Sequence, residues 1–143
     1  MEREKRTEMR LEMGSLSENE EFARVVVAVF LSRLNPTLEE LDDVKTAVSE
    51  AVTNAVIHGY GGGPGTIFIR AAVDGQEFTV EIRDDGVGIG DVARAMEPMF
   101  TTDTAGERSG MGFSFMEAFM DQVEVISAPG QGTRVIMKKR IGA

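Results

Sequence analysis

The stretch SEAVTNAVIHGY, Ser49 to Tyr60, decides how this chain is read. Val48, Ala51, Val52, Ala55 and Val56 recur at the spacing of one helix face, and the stripe runs back through Val44 and Leu41 and on to Ile57. Glu50 and Asn54 interrupt it one turn apart, so both project the same way from a helix that otherwise packs. A carboxylate on a packing face needs a partner or a task, because unpaired burial is costly. One reading is structural, a local or interhelical hydrogen bond. The other is that this face floors a nucleotide site. An Asn carbonyl oxygen suits Mg2+, a hard ion that fills its remaining positions with phosphate oxygens and water. A carboxylate one turn away can accept the proton of a hydroxyl that attacks a terminal phosphate.

The helix begins after Asn35-Pro36, where Thr37 and Glu40 have the spacing of a capping box. Upstream, Ser17 and Glu20 have the same spacing and predict a helix to about Leu34, with Phe22, Val25, Val26, Val29 and Phe30 on its apolar face. Before it, Met9, Leu11 and Met13 alternate with charged residues in Thr7 to Leu16, as in a half-buried strand. Downstream, GYGGGPG (Gly59 to Gly65) reads as loop. Ile67 to Val73 and Phe78 to Ile82 read as strands joined at Asp74-Gly75. A short helix is expected over Val92 to Met96, a loop over Phe100 to Gly110 and a helix over Met111 to Met120, with Phe113, Met116 and Met120 inward. Val123 to Ile126 and Thr133 to Lys139 then form a hairpin around Pro129-Gly130. The pattern predicts an α+β two-layer sandwich, with helices packed on one face of a mixed, mostly antiparallel sheet, and one domain over residues 1–143.

The composition is that of an ordinary soluble protein: 143 residues, 42% hydrophobic and 27% charged. With no cysteine, disulfides and thiolate metal sites are excluded. The net charge of −9 argues against a nucleic-acid partner and could steer a basic protein toward the surface. The longest apolar run, Val25 to Leu31, is too short to span a bilayer. The first residues lack a signal core, so the expectation is a cytoplasmic protein that uses no membrane.

Two further segments carry chemistry. DDGVG puts Asp84 at a strand end before Gly86 and Gly88. A carboxylate there can accept a hydrogen bond from an exocyclic amine such as that of adenine, and the glycines let a ligand approach the backbone. The same residues would also suit a plain turn. RSGMGFSFM puts Gly110 and Gly112 at the start of a helix, where free N–H groups can cradle phosphate, with Arg108 beside them. A simple helix cap with a solvated arginine fits that segment equally well. There is no Walker loop and no dinucleotide fingerprint. His58, the sole histidine, reads as a helix-end residue rather than a phosphoacceptor; Met96, Met99, Met116 and Met120 read as core filling, and Lys138 to Arg140 as a solvated strand end.

Taken in order, these segments resemble the N, G1 and G2 boxes of the Bergerat-type ATP-binding fold of gyrase, Hsp90, histidine kinases and MutL. From Glu8 to Lys139 the chain is similar to the bacterial anti-sigma factors, the small serine kinases of that superfamily. VSEAVTNAVIHGY, FTT…ERSGMGF and the short length most resemble the sporulation anti-sigma F family.

The resemblance implies ATP and ADP as ligands with Mg2+. It makes Glu50 the general base, Asn54 the Mg2+ ligand and Asp84 the acceptor of the adenine amino group, with Gly86 and Gly88 lining the base. Thr101, Thr102 and Arg108 would belong to the ATP lid, Gly110, Met111 and Gly112 would cradle phosphates, and Thr133 would support Asp84 through water. It further implies a homodimer through the first strand and helix, a bound sigma factor, and an anti-anti-sigma protein phosphorylated on serine. Arg24 matches a position that touches both partners. Two departures stand out. Asp103-Thr104 replaces the usual Lys-Pro after the paired threonines, which implies weaker lid closure or a slower kinase; Gly90 replaces a proline. A nucleotide-gated sigma-binding module with little kinase activity, and the same chemistry directed at a general stress sigma factor, are the alternative readings.

Overall fold

The computed structural model describes residues 6–96 and 112–142. Five strands form one sheet in the order β1-β2-β3-β5-β4: β1 (Thr7–Gly14), β2 (Thr66–Asp74), β3 (Glu77–Asp84), β4 (Gln122–Ser127) and β5 (Thr133–Arg140). The mixed, mostly antiparallel sheet expected from the sequence proves to have antiparallel pairings throughout. The register lines up one apolar face. Met9, Ala71, Val80, Met137 and Val123 form one row, and Leu11, Ile69, Ile82, Val135 and Val125 the next. The third row, Met13, Ile67, Asp84, Thr133 and Ser127, turns polar toward β5 and β4.

Helices cover that face: α1 (Asn19–Leu31), α2 (Leu38–Asn54), the short α3 (Val92–Ala95) and α4 (Gly112–Phe119). Helix α2 is the centre of the layer, and its Val44, Ala47, Val48, Ala51 and Val52 are buried. The capping box forms as expected. Thr37 Oγ1 accepts from the Glu40 N–H at 3.0 Å, and Glu40 Oε1 accepts from the Thr37 N–H at 2.9 Å. The other oxygen of Glu40 accepts from the Gly142 N–H at 2.9 Å, which ties the end of the sheet to the start of α2. The Thr37 and Gly142 amides hold the Glu40 carboxyl below its ordinary 4.5, so this tie contributes above that pH and is lost on acidification.

Helix α1 departs from expectation in two ways. The proposed Ser17 box does not form, since the N-cap is Glu18 with no side-chain bond, and Asn19 Nδ2 instead donates to the Gly14 carbonyl at 2.9 Å. The buried face is Ala23, Val27, Phe30 and Leu31, whereas Phe22, Val25 and Val29 are exposed. The helix is apolar nearly all round from Val25 to Leu31, so periodicity alone does not select a side. It ends in a 3-10 turn, Ser32–Leu34, before Asn35 at φ 54°. The C-terminal basic run is also less solvated than expected, because Lys139 Nζ donates to the Phe119 carbonyl at the end of α4 at 2.7 Å and lies 3.7 Å from Asp43. Met116 and Met120 are core residues, as expected.

Replacing Thr37 by Ala should lower the unfolding free energy by about 1 kcal/mol. Glu40→Ala, which also releases Gly142, should cost more than Thr37→Ala; urea titration of both variants checks the order.

Candidate nucleotide site

Helix α2 does not end in a cap. Its last turn widens into a π-helix, Ala55–Gly59, in which the Tyr60 N–H bonds to the Ala55 carbonyl at 3.0 Å. Glu50 and Asn54 lie half-buried just before this turn, and His58 lies within it. The wider turn delivers Gly59 to the C-terminal end of β3. A side-chain carbon on Gly59 would lie 2.7–2.8 Å from the carboxylate atoms of Asp84. One on Gly86 would collide with the Gly59 carbonyl. Two bare backbones therefore press together around one acid, a contact that only glycine permits.

Asp84 is only 3% exposed, at the end of β3 on the helix-facing side of the sheet. Burial pushes its carboxyl above the ordinary 3.8, opposed by the Gly86 N–H, which donates to Oδ1 at 2.9 Å. Thr133 stands opposite Asp84 on β5 and is also buried, and its Oγ1 lies 2.8 Å from Ser127 Oγ. Ser127 Oγ in turn donates to the Gly132 carbonyl and accepts from the Ile89 N–H at 2.7 Å. The loop after β3 is thus sewn to the β4–β5 turn, a link completed by the Gly130 N–H on the Val87 carbonyl. Gly88, at φ +76°, passes against the Ala128 carbonyl, where a side chain has no room.

At the other end of the site, Gly112 opens α4 beside Glu50: a side-chain carbon on Gly112 would sit 3.4 Å from Glu50 Oε1. The described structure therefore brings Glu50 and Gly112 together at one end and Asp84, Gly86, Gly88 and Thr133 at the other, with Asn54 at the end of α2 and the π turn between them. A buried carboxylate with two glycines beside it can accept from a planar base bearing an amino group. Glu50 supplies carboxylate oxygens beside the start of α4, and Asn54 follows it one turn later on α2. Asn54 offers one neutral oxygen to a hard cation, which accords with a metal held mainly by phosphate; no cluster of three acidic or histidine ligands occurs among the described residues. Arg24 lies on α1, and its buried Nε has no hydrogen-bond partner among the described residues. Thr101, Thr102, Arg108, Gly110 and Met111, along with Asp103, lie outside the described residues.

Sequence reasoning passed over Gly59, Tyr60 and Ser127. GYGGGPG signalled loop without saying which glycine meets Asp84, and Ser127 carries no motif at all.

Residues 15–139 match the histidine kinase-like ATPase domain family. The chain is 55% identical over 132 residues to an anti-sigma F factor of Clostridium acetobutylicum, spanning 92% of each. It is 54% identical over 135 residues to an anti-sigma F factor of Thermoanaerobacter pseudethanolicus, 94% of each chain. A third anti-sigma F factor, from Halalkalibacterium halodurans, is 52% identical over 137 residues, 95% of this chain and 94% of that one. Two solved structures share the fold at 18% identity. The RsbU and RsbW domains of a Mycobacterium tuberculosis protein superpose with a TM-score of 0.67 over 94% of this chain and 32% of that one. The catalytic domain of the histidine kinase ThkA, in a nucleotide-free form, gives 0.57 over 93% of this chain and 96% of that one.

Gly86→Ala forces a side chain onto the Gly59 carbonyl and should cost about 3 kcal/mol. Gly14→Ala, where nothing lies within 4 Å, serves as its control; thermal unfolding of the two should separate them clearly.

Proposed function

This chain belongs to the anti-sigma F family of histidine kinase-like ATPases, and we propose that it binds and inhibits a sporulation sigma factor and phosphorylates a serine of that factor's anti-anti-sigma antagonist. ATP and ADP are the ligands the family implies. The observation that carries the proposal is the buried Asp84 carboxylate, held between Gly59, Gly86 and Thr133 on the same α2 framework that carries Glu50. In this reading Asp84 accepts the adenine amino group, Gly86 and Gly88 line the base, and Thr133 supports the acid. Gly112, with Thr101, Thr102, Arg108, Gly110 and Met111, holds the phosphates, and residues 1–143 act as one domain.

The transfer is a displacement at the terminal phosphorus. The partner's serine oxygen forms the new P–O bond, its proton passes to a Glu50 carboxylate oxygen, and the bond to the bridging oxygen breaks to leave ADP. Asn54 is the residue that would hold Mg2+, and the ion would supply neutralisation of phosphate charge. Position and charge, rather than covalent chemistry, carry such reactions.

The partner surfaces have their own support. Strand β1 is an edge of the sheet, with Met9, Leu11 and Met13 half-buried along it, and α1 beside it exposes Phe22, Val25 and Val29. An unpaired edge next to exposed apolar side chains suits a homodimer. Arg24 lies on the same helix as these exposed apolar residues, a placement that suits a sigma or antagonist contact. No helix among the described residues is long and apolar enough to cross a membrane, which accords with a cytoplasmic role.

Glu50→Ala should slow phosphate transfer to the antagonist by about 10² to 10⁴-fold while ADP still binds. An undiminished rate, followed with labelled ATP and purified antagonist, would remove Glu50 as the base. A second expectation concerns pH. Because the Asp84 carboxyl is raised above 3.8, the folded chain takes up its proton at a higher pH than the unfolded chain does. Asp84 therefore favours the empty fold more as pH falls, while the amine-accepting form is lost over the same range. The preference for ADP over inosine diphosphate, which lacks the amino group, should shrink as pH is lowered from neutrality toward the carboxylate range in calorimetric titrations.

A further inference from the structure

We propose that Tyr60 is the positioning residue for the base-reading carboxylate, its hydroxyl acting as a strut that sets the direction of Asp84. The proposal rests on the assignment of Asp84 to the adenine amino group. Tyr60 Oη donates to the Thr66 carbonyl at 2.5 Å and accepts from the Asp85 N–H at 2.7 Å. One hydroxyl thus bridges the first residue of β2 and the peptide that follows Asp84. Both of its hydrogen-bonding capacities are used.

That peptide plane is the relevant one. It is anchored at its Asp84 end by the pairing of β3 with Thr133 of β5, and at its Asp85 end by the phenol. With both ends fixed, the Cα–Cβ bond of Asp84 has one direction, toward Gly59. The neighbouring residue completes the grip, since the Gly59 carbonyl accepts from the Val87 N–H at 2.9 Å. Gly59 and Tyr60, consecutive in the chain, therefore hold the loop on both sides of Gly86. From the other face of the sheet, Arg83 Nη1 meets Asp85 Oδ1 at 2.5 Å while its guanidinium lies 3.9 Å from the centre of the Phe68 ring.

The ring itself is seated by a glycine. A side-chain carbon on Gly65 would lie 2.5–2.6 Å from Tyr60 ring atoms, so the phenol rests directly on bare backbone. The π turn explains why the strut reaches so far. An added residue in the last turn of α2 rotates Gly59 and Tyr60 toward β3 instead of continuing the helical path. The same helix that carries Glu50 and Asn54 thereby also fixes the base end of the site, and the separation between the two ends is built into one rigid element.

A filler of space would affect every ligand alike; a strut acting through Asp84 affects recognition of the amino group. The full-length chain, Tyr60→Phe and Gly65→Ala are titrated calorimetrically with ADP and with inosine diphosphate in Mg2+ buffer, and each is melted without nucleotide. Tyr60→Phe removes the hydroxyl and keeps the ring, whereas Gly65→Ala keeps the hydroxyl and displaces the ring. Both should lose about fivefold to tenfold in ADP affinity and less than about twofold for inosine diphosphate, so that the preference narrows. Equal weakening of both nucleotides, or an unchanged ADP affinity in the folded variants, overturns the strut. A parent chain without any preference between the two nucleotides overturns the Asp84 assignment beneath it, and the strut with it.

Discussion

A carboxylate removed from water at the end of a β-strand is the constraint around which this molecule is arranged. Asp84 carries a desolvation cost, and its surroundings answer it with the backbone amides of Gly86 and Thr133 and with the charge of Arg83 nearby. Gly59 presses bare backbone against the acid and Gly86 presses against Gly59, so that side chains are excluded on that side. The cost of holding the acid there is carried by the rest of the fold, a common arrangement at binding sites.

The route by which the fold supports it runs through α2. The capping box and the Glu40–Gly142 bond fix its first turn, its middle is sealed by Val44, Val48 and Val52, and its last turn opens into the π-helix that meets β3. The sheet contributes the complementary half. In the row that ends Asp84, Thr133, Ser127, apolar residues give way to polar ones only where β3, β5 and β4 lie adjacent, so the polar end of the sheet is local. Packing and recognition are thereby separated along the strands rather than across the faces.

How much of this the sequence disclosed depends on whether a feature was local. Helix α2 was legible because Glu50 and Asn54 break an otherwise regular stripe and because Thr37 and Glu40 satisfy each other within one turn. The β2–β3 hairpin was legible from Asp74-Gly75, with Gly75 at φ +62°. The buried side of α1 was not, since Val25 to Leu31 offers an apolar residue in every direction, and the choice is made by what α2 and the sheet present. Gly59, Tyr60 and Ser127 were invisible for a related reason. Their partners lie far away in sequence, as with Tyr60 and Asp85 or Ser127 and Ile89, and neither residue type nor spacing announces such a meeting. The resemblance to a known family supplied the role proposed for Asp84 and its link to Thr133, but not the contacts with Gly59, Tyr60 and Ser127.

Tyr60 is the only tyrosine of the chain, and there is no tryptophan. Its phenol is bonded to the loop after Asp84, so nearly all intrinsic near-ultraviolet emission originates beside the site. The protein carries an optical reporter in place, with no dye or engineered fluorophore, and the phenylalanines elsewhere contribute little background. Changes in that emission read the environment of a single hydroxyl rather than an average over the molecule.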